Sequence, residues 1–193
     1  MPGDFLNEKS LIEEIGASRT PIREALNKIE QENLVKIIPK RGVVVSEITM
    51  KDISEIFQVR ECVGPYVIKT SLHFFDEGIL REFRRRFDRL GPRENPEDYN
   101  DFYEVDSEFH MYLISVCKNK FFTHTMEHVY IQNQRVRLII GKIGYRLENQ
   151  RNEHITLIDA LLTHDEEKAV KAITDHIEQS KAIAFQTFMN FTI

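Results

Sequence analysis

Four residues of metal-ligand type fall on the apolar faces of helical stretches in the second half of the chain. Asp106 and His110 stand four apart, so a helix projects both from one face, in or beside the stripe of Phe102, Phe109, Leu113 and Val116. His154 shares a face with Leu157, Ile158 and Leu161, and His176 with Ala169, Ile173, Ile177 and Ser180. An ionised carboxylate among apolar side chains is costly without a partner, and imidazole nitrogens with a carboxylate oxygen suit a divalent first-row ion. A single buried histidine is most simply a packed, hydrogen-bonded ring. One Asp and three His converging from three helices make a divalent metal site the expectation, with zinc or nickel as the ion. His124 and His128 are also four apart, but no Asp or Glu at ligand spacing joins them, and Gln132 and Arg135 mark that face as partly wet. His73 and His164 read as structural or exposed.

A second group is basic. Arg19, Thr20 and Arg23 cluster at the start of a helical repeat made by Ile22, Ala25, Leu26 and Ile29. Thr20 is placed to cap that helix, and Pro21 stands where a missing N–H costs nothing. Unpaired backbone N–H groups and the dipole at a helix start attract phosphate. Lys40 and Arg41 occupy the turn Pro39-Lys40-Arg41-Gly42 between Leu34–Ile38 and Val43–Val45, a β-hairpin pattern with its cations at the tip. Upstream, Asn7 is placed to cap a helix carrying Leu11, Ile12 and Ile15, and Gly16 to end it. The formal net charge is −5, so no global basic field advertises nucleic acid. Placement carries the argument instead. Scattered charge on a generic helical domain gives no reason for arginines at both a helix start and a hairpin tip; a recognition helix in a major groove, with a hairpin beside it, does.

These residues need elements to position them. Proline, glycine and β-branched residues divide the chain near residue 50 into expected domains 1–49 and 50–193. In the second, apolar residues spaced i, i+3, i+4, i+7 predict six helices over 50–74, 77–91, 97–117, 120–148, 151–163 and 166–190. The fold class is therefore mainly α: a small helix-turn-helix head followed by an all-α antiparallel bundle. With 193 residues, 41% of them apolar, the chain can bury a genuine core, which excludes disorder as its main state. No apolar run approaches the ~20 residues that cross a bilayer, and the first residues lack the pattern of a signal peptide, so a cytoplasmic protein with no membrane partner is expected. Cys62 and Cys117 read as reduced, packed thiols, and Arg84-Arg85-Arg86 as a solvated helix face.

Asn7-Glu8-Lys9-Ser10-Leu11, Ser18-Arg19-Thr20-Pro21-Ile22-Arg23-Glu24-Ala25-Leu26, Glu32-Asn33-Leu34-Val35 and Pro39-Lys40-Arg41-Gly42 together resemble the winged helix-turn-helix domain of GntR-family transcriptional regulators. The resemblance implies that Ser18, Arg19, Thr20 and Arg23 meet operator DNA through the recognition helix, with Lys9 from the preceding helix and Arg41 and Gly42 from the wing. Lys9 stands where many members carry Arg, which exchanges a two-donor fork for a point contact. Members usually carry another helix before this pair, and Met1-Pro2-Gly3 corresponds to the turn after it, so a head without its usual first helix is expected. Residues 50–193 resemble the FCD ligand-binding domain of the FadR-type branch in its six-helix form. Asp106-x-x-Phe109-His110, Glu153-His154 and His176 follow the order of that domain's metal centre, which implies Asp106, His110, His154 and His176 as ligands. Arg60, in Val59-Arg60-Glu61, and Asn119 resemble positions lining the effector cavity. Cys62-Val63-Gly64-Pro65 stand where relatives often have Leu-Glu, and a kink is expected there.

The function expected is that of a ligand-responsive, DNA-binding transcriptional regulator, a repressor rather than an enzyme. It would act as a homodimer on an inverted repeat, with a small carboxylate effector bound at the metal and Arg60. Two alternatives stand beside it. A metal-dependent hydrolase would use the ion to activate water, yet no second carboxylate stands out as a general base and the Ser-Arg-Thr-Pro helix start has no role. A DNA-binding protein could instead carry a purely structural metal in a bundle that only dimerises.

Overall fold

A computed structural model describes residues 2–39, 41–90, 99–141 and 147–191. The chain forms two compact units, Met1–Thr49 and Met50–Ile193.

The first unit runs β1 (Phe5–Leu6), α1 (Glu8–Ile15), α2 (Arg19–Gln31), β2 (Val35–Ile38) and β3 (Gly42–Val45). Asn7 caps α1 by accepting the Lys9 N–H at 2.9 Å, and Gly16 closes it at φ 70 with its own N–H on the Ile12 carbonyl. The second cap differs from expectation. Ser18, not Thr20, holds the extended N-cap conformation, and its hydroxyl makes no capping bond. Pro21 then lies in the first turn, where its missing N–H still has no carbonyl to serve. The hairpin pairs Val35 with Val45 and Ile38 with Gly42. β1 was not foreseen: two residues are too few to show an alternating pattern, yet Phe5 and Leu6 pair antiparallel with Val44 and Val43, giving the order β1-β3-β2. Ile22, Leu26, Val35 and Val43 form the core under this sheet, with Leu6, Leu11, Ile12, Ala17, Ile29 and Ile37 packed around them.

The second unit is a bundle of six helices: α3 (Met50–Ser71), followed by a 3₁₀ turn at Leu72–Phe74, α4 (Glu77–Leu90), α5 (Tyr99–Val116), α6 (Lys120–Gly141), α7 (Leu147–Leu162) and α8 (Glu166–Phe191). They pack as a ring, α3 on α8, α8 on α7, α7 on α4, α4 on α5, α5 on α6 and α6 back on α3. Two boundaries differ from the sequence reading. α6 is described to Gly141 and α7 from Leu147, so Asn149, where a break was expected, lies inside α7; the expected break at Gly91-Pro92 lies outside the described residues. α3 runs through Pro65 as one helix. Its neighbour Gly64 lets α8 approach, since a Cβ there would stand 2.8 Å from Ile177 Cδ1.

An aromatic layer fills one side of the ring. Phe109 meets Phe83 and Phe87 edge-to-face at 5.3 and 5.9 Å, and Phe87 meets Phe102 in the same way at 5.9 Å. His154 stacks on Phe87 with centroids 4.6 Å apart, so the layer also forms one wall around a polar centre. Phe109→Ala should therefore cost about 3–5 kcal/mol, read as a lower urea midpoint with native helical circular dichroism at low urea.

Candidate metal centre and basic face

Asp106 and His110 sit one turn apart on α5, His154 on α7 and His176 on α8. Their exposures are 3%, 1%, 1% and 3%. One nitrogen from each histidine lies within 4.8 Å of the others. His110 Nε2 is 3.2 Å from His154 Nε2, and Asp106 Oδ1 is 2.8 Å from His154 Nε2 and 3.7 Å from His110 Nε2. Two ligands each about 2.1 Å from one ion are separated by about 3.0 Å at a right angle and about 3.4 Å at the tetrahedral angle. The observed spacings bracket both.

The proton positions sharpen this geometry. His154 Nδ1 lies 2.6 Å from the Gln150 carbonyl, one turn earlier on α7. A carbonyl only accepts, so Nδ1 carries a hydrogen and Nε2 faces Asp106 and His110. The 2.8 Å approach of Asp106 Oδ1 to this nitrogen is attractive when a proton or a cation lies between them. His176 Nδ1 lies 3.2 Å from Glu153 Oε2, while its Nε2 is buried with no hydrogen-bond partner among the described residues. A carboxylate behind the imidazole fixes the ring and leaves the inner nitrogen as a donor to metal. Burial, reinforced by neighbouring histidines, pushes His110 and His176 well below the usual imidazole range, so both are neutral lone-pair donors at pH 7. Burial alone would raise the Asp106 pKa, but Arg137 and the histidines outweigh it and hold the carboxyl well below its usual value. Burial lifts Glu153 to about 7.

Two guanidiniums face the centre. Arg137 on α6 pairs with Asp106 Oδ2. Arg60 on α3 lies over Phe57 at 4.8 Å and 5.9 Å from Tyr130, with burial lowering its pKa. Asn133 stands between them, its amide oxygen serving Arg60 at 3.3 Å in one orientation and Arg137 at 3.1 Å in the other. Arg60 Nε and Nη2 have no hydrogen-bond partner among the described residues. A cavity of about 20 Å³ lies among Arg60, Asp106, Asn133, Arg137, His154 and His176, room for one ion or water.

Of the residues singled out from sequence, Asn119 does not line this cavity. It stands at the start of α6, where its Oδ1 accepts the Phe121 and Phe122 N–H groups at 3.0 and 3.4 Å, a helix cap. His124 is exposed and His128 partly buried, and neither lines the centre. Exposed His73 and His164 stack on each other. Arg137, Asn133 and Glu153 were missed as contributors. Asn133 and Arg137 are four apart beside Val136 and Ile140, so a polar pair within an apolar stripe was the available signal.

In the first unit, Ser18, Arg19, Thr20 and Arg23 are exposed at the start of α2, Lys9 is exposed in the first turn of α1, and Arg41 is exposed beside Gly42, whose φ is 110. Lys40 lies outside the described residues. Glu8, unnoticed in the sequence, accepts from Arg23 Nε at 3.0 Å and lies 3.5 Å from Arg19 Nε. One carboxylate thus aligns both arginines beside the free N–H groups of the helix start.

Residues 1–45 match the family "Bacterial regulatory proteins, gntR family", and residues 55–179 match the FCD domain. The chain is 24% identical to the HTH-type transcriptional repressor RspR of Escherichia coli (strain K12) over 178 residues, 92% of this chain and 78% of that protein. It is 23% identical to the Nta operon transcriptional regulator of Aminobacter aminovorans over 183 residues, 92% of this chain and 83% of that one. Among solved structures, E. coli McbR/YncC shares the fold with a TM-score of 0.83 at 19% identity, over 97% of this chain and 89% of that one. The Zn2+-bound FCD domain of TM0439 does so with a TM-score of 0.62 at 18% identity, over 74% of this chain and 98% of that one.

Arg137 is the counter-ion that keeps Asp106 charged in the interior. Arg137→Met should destabilise the metal-free protein by about 3–5 kcal/mol, and the double variant Arg137→Met with Asp106→Asn by less than the sum of the two single changes, as measured by urea unfolding.

Proposed function

The chain belongs to the GntR family of bacterial regulatory proteins and carries its FCD domain, and from that premise we propose a repressor whose bundle holds a divalent metal and answers to a small organic acid. It is a DNA-binding transcriptional regulator, as its relatives are, and not an enzyme. The observation that carries the finer reading is the buried cluster of His110, His154 and His176, with Asp106 Oδ1 beside two of the three rings. Asp106 Oδ1 and the Nε2 atoms of His110, His154 and His176 would hold the ion, with Glu153 and the Gln150 carbonyl orienting two of the rings. The bound ion would supply a fixed positive charge and open coordination positions for a carboxylate.

Charge supports the effector class. Arg60 and Arg137 against Asp106 leave one positive charge in excess, which Glu153 offsets when ionised, and a divalent ion would add two more, which an anion relieves. The free Nε and Nη2 of Arg60 form a planar fork suited to a carboxylate. The purely structural metal is the competing reading, and the count of non-protein ligands on the ion separates the two.

On DNA, Arg19, Thr20 and Arg23 would read the major groove while Ser18, Lys9, Lys40, Arg41 and Gly42 position the head on the backbone and minor groove. A head with two short reading elements specifies few base pairs, and a homodimer on an inverted repeat doubles them. Arg23→Ala should weaken binding to a duplex selected in vitro by the wild-type protein by about 1–3 kcal/mol, with wild-type binding falling steeply as salt rises; equal binding by the variant would remove Arg23 from the interface.

His176→Ala should abolish stoichiometric Zn2+ or Ni2+ binding and the rise in Tm that the metal confers on the wild type, because an ion held only by the folded state stabilises it, whereas His124→Ala should change neither. In calorimetric titration, succinate or citrate should bind only the metal-loaded protein, and Arg60→Ala should weaken that binding while leaving metal content unchanged.

A further inference from the structure

We propose that the groove between α5 and α6 is the path by which a divalent cation reaches the Asp106–histidine centre, with Arg137 as its gate. This inference rests on the metal reading above. The groove, about 300 Å³, is walled by Tyr103, Glu104, Ser107, Gln134 and Leu138 and ends at Arg137. The cavity beside Asp106 is lined by Arg137 from the other side, and among the described residues no other borders both spaces. The Arg137 side chain is 13% exposed against 4% for the carboxylate it pairs with, so it reaches inward from the groove to the centre.

The chemistry suits an exchange of cations. Arg137 neutralises Asp106 without being a ligand, so an incoming ion can take over that carboxylate as the guanidinium swings out, and all four donors stay in place. Glu104 and Glu108 line the same groove; Glu108 is paired with Arg86, so Glu104 is the carboxylate that would concentrate cations there and raise their rate of arrival. A larger groove of about 470 Å³ between α7 and α8 meets the same cavity only at His176. There the obstacle is a proposed ligand, held from behind by Glu153, and passage would dismantle the site it leads to.

Stopped-flow absorption with Co2+ on the full metal-free chain tests the path, and release is followed with excess chelator. Leu138→Trp, at a position 55% exposed, and Ser107→Trp should each slow uptake and release about tenfold, as a gate does, with equilibrium affinity unchanged. Arg137→Met should speed uptake, and Glu104→Lys should slow it at low salt more than at high salt. Thr156→Trp, in the α7–α8 groove, should leave both rates as in the wild type. Unchanged rates in both tryptophan plugs of the α5–α6 groove, slowing by Thr156→Trp, or plugs that slow only one of uptake and release and so shift affinity would overturn the proposal. A wild-type protein that takes up no Co2+ would overturn the metal reading and this inference with it, whereas normal uptake with unmoved plug kinetics would overturn the path alone.

Discussion

A carboxylate as buried as Asp106 stays ionised only if its surroundings replace water, and much of the bundle is arranged to do so. Arg137 of α6 supplies the opposite charge to one oxygen, and the imidazoles of α5 and α7 approach the other. Removing such an ion from water costs several kcal/mol, so these partners are conditions of the fold and not additions to it. The aromatic layer of Phe83, Phe87, Phe102 and Phe109 excludes water from one side of the centre and holds the His154 ring by stacking. The low dielectric that results strengthens the Asp106–Arg137 pair and keeps His110 and His176 neutral.

The long helices follow from the same requirement. Donors on α5, α7 and α8 and guanidiniums on α3 and α6 must meet within a few ångströms, and each side chain reaches inward from its own helix. Close packing of α8 on α3 at Gly64 carries His176 and Arg60 to opposite sides of one small space. The caps at Asn119, Asp76 and Asp165 settle where α6, α4 and α8 begin, and with them the register of the polar residues. A helix rotated by one residue turns its inward face by about 100°, enough to remove a donor from the centre.

Much of this was legible in the sequence because helical spacing is a strong signal over long stretches. Asp106, His110, His154 and His176 stand out where an apolar stripe accepts a polar residue, and the helices appear near their observed limits except between α6 and α7. Arg137 escaped because arginine is usually exposed, and its burial here depends on a carboxylate on another helix that no local pattern reveals. β1 escaped because pairing with β3, not its own two residues, makes it a strand. Ser18 and Thr20 are equivalent as caps by composition; only the backbone separates them. Asn119 was assigned to the cavity by resemblance, while its own physics, a short amide before Lys120-Phe121-Phe122, is that of a cap.

Volume and charge pull in opposite directions at the centre. The space beside Asp106 admits one ion or water, yet two guanidiniums face it and Arg60 keeps unpaired donors. An organic anion that answers the charge exceeds the space, so its binding entails movement of a guanidinium or of the helix that carries it. α6 bears Arg137 and Asn133, and α3 bears Arg60, so the cost of admitting an anion falls on the packing of those two helices against α5 and α8. A ligand shifts a protein's conformation only by its differential affinity for two states. Here the difference has a physical source: the closed arrangement satisfies Asp106 with Arg137, and an opened one would satisfy Arg60 and Arg137 with the anion. Under the proposed reading, the centre would couple ligand binding to helix position through the choice of counter-ion for one buried carboxylate.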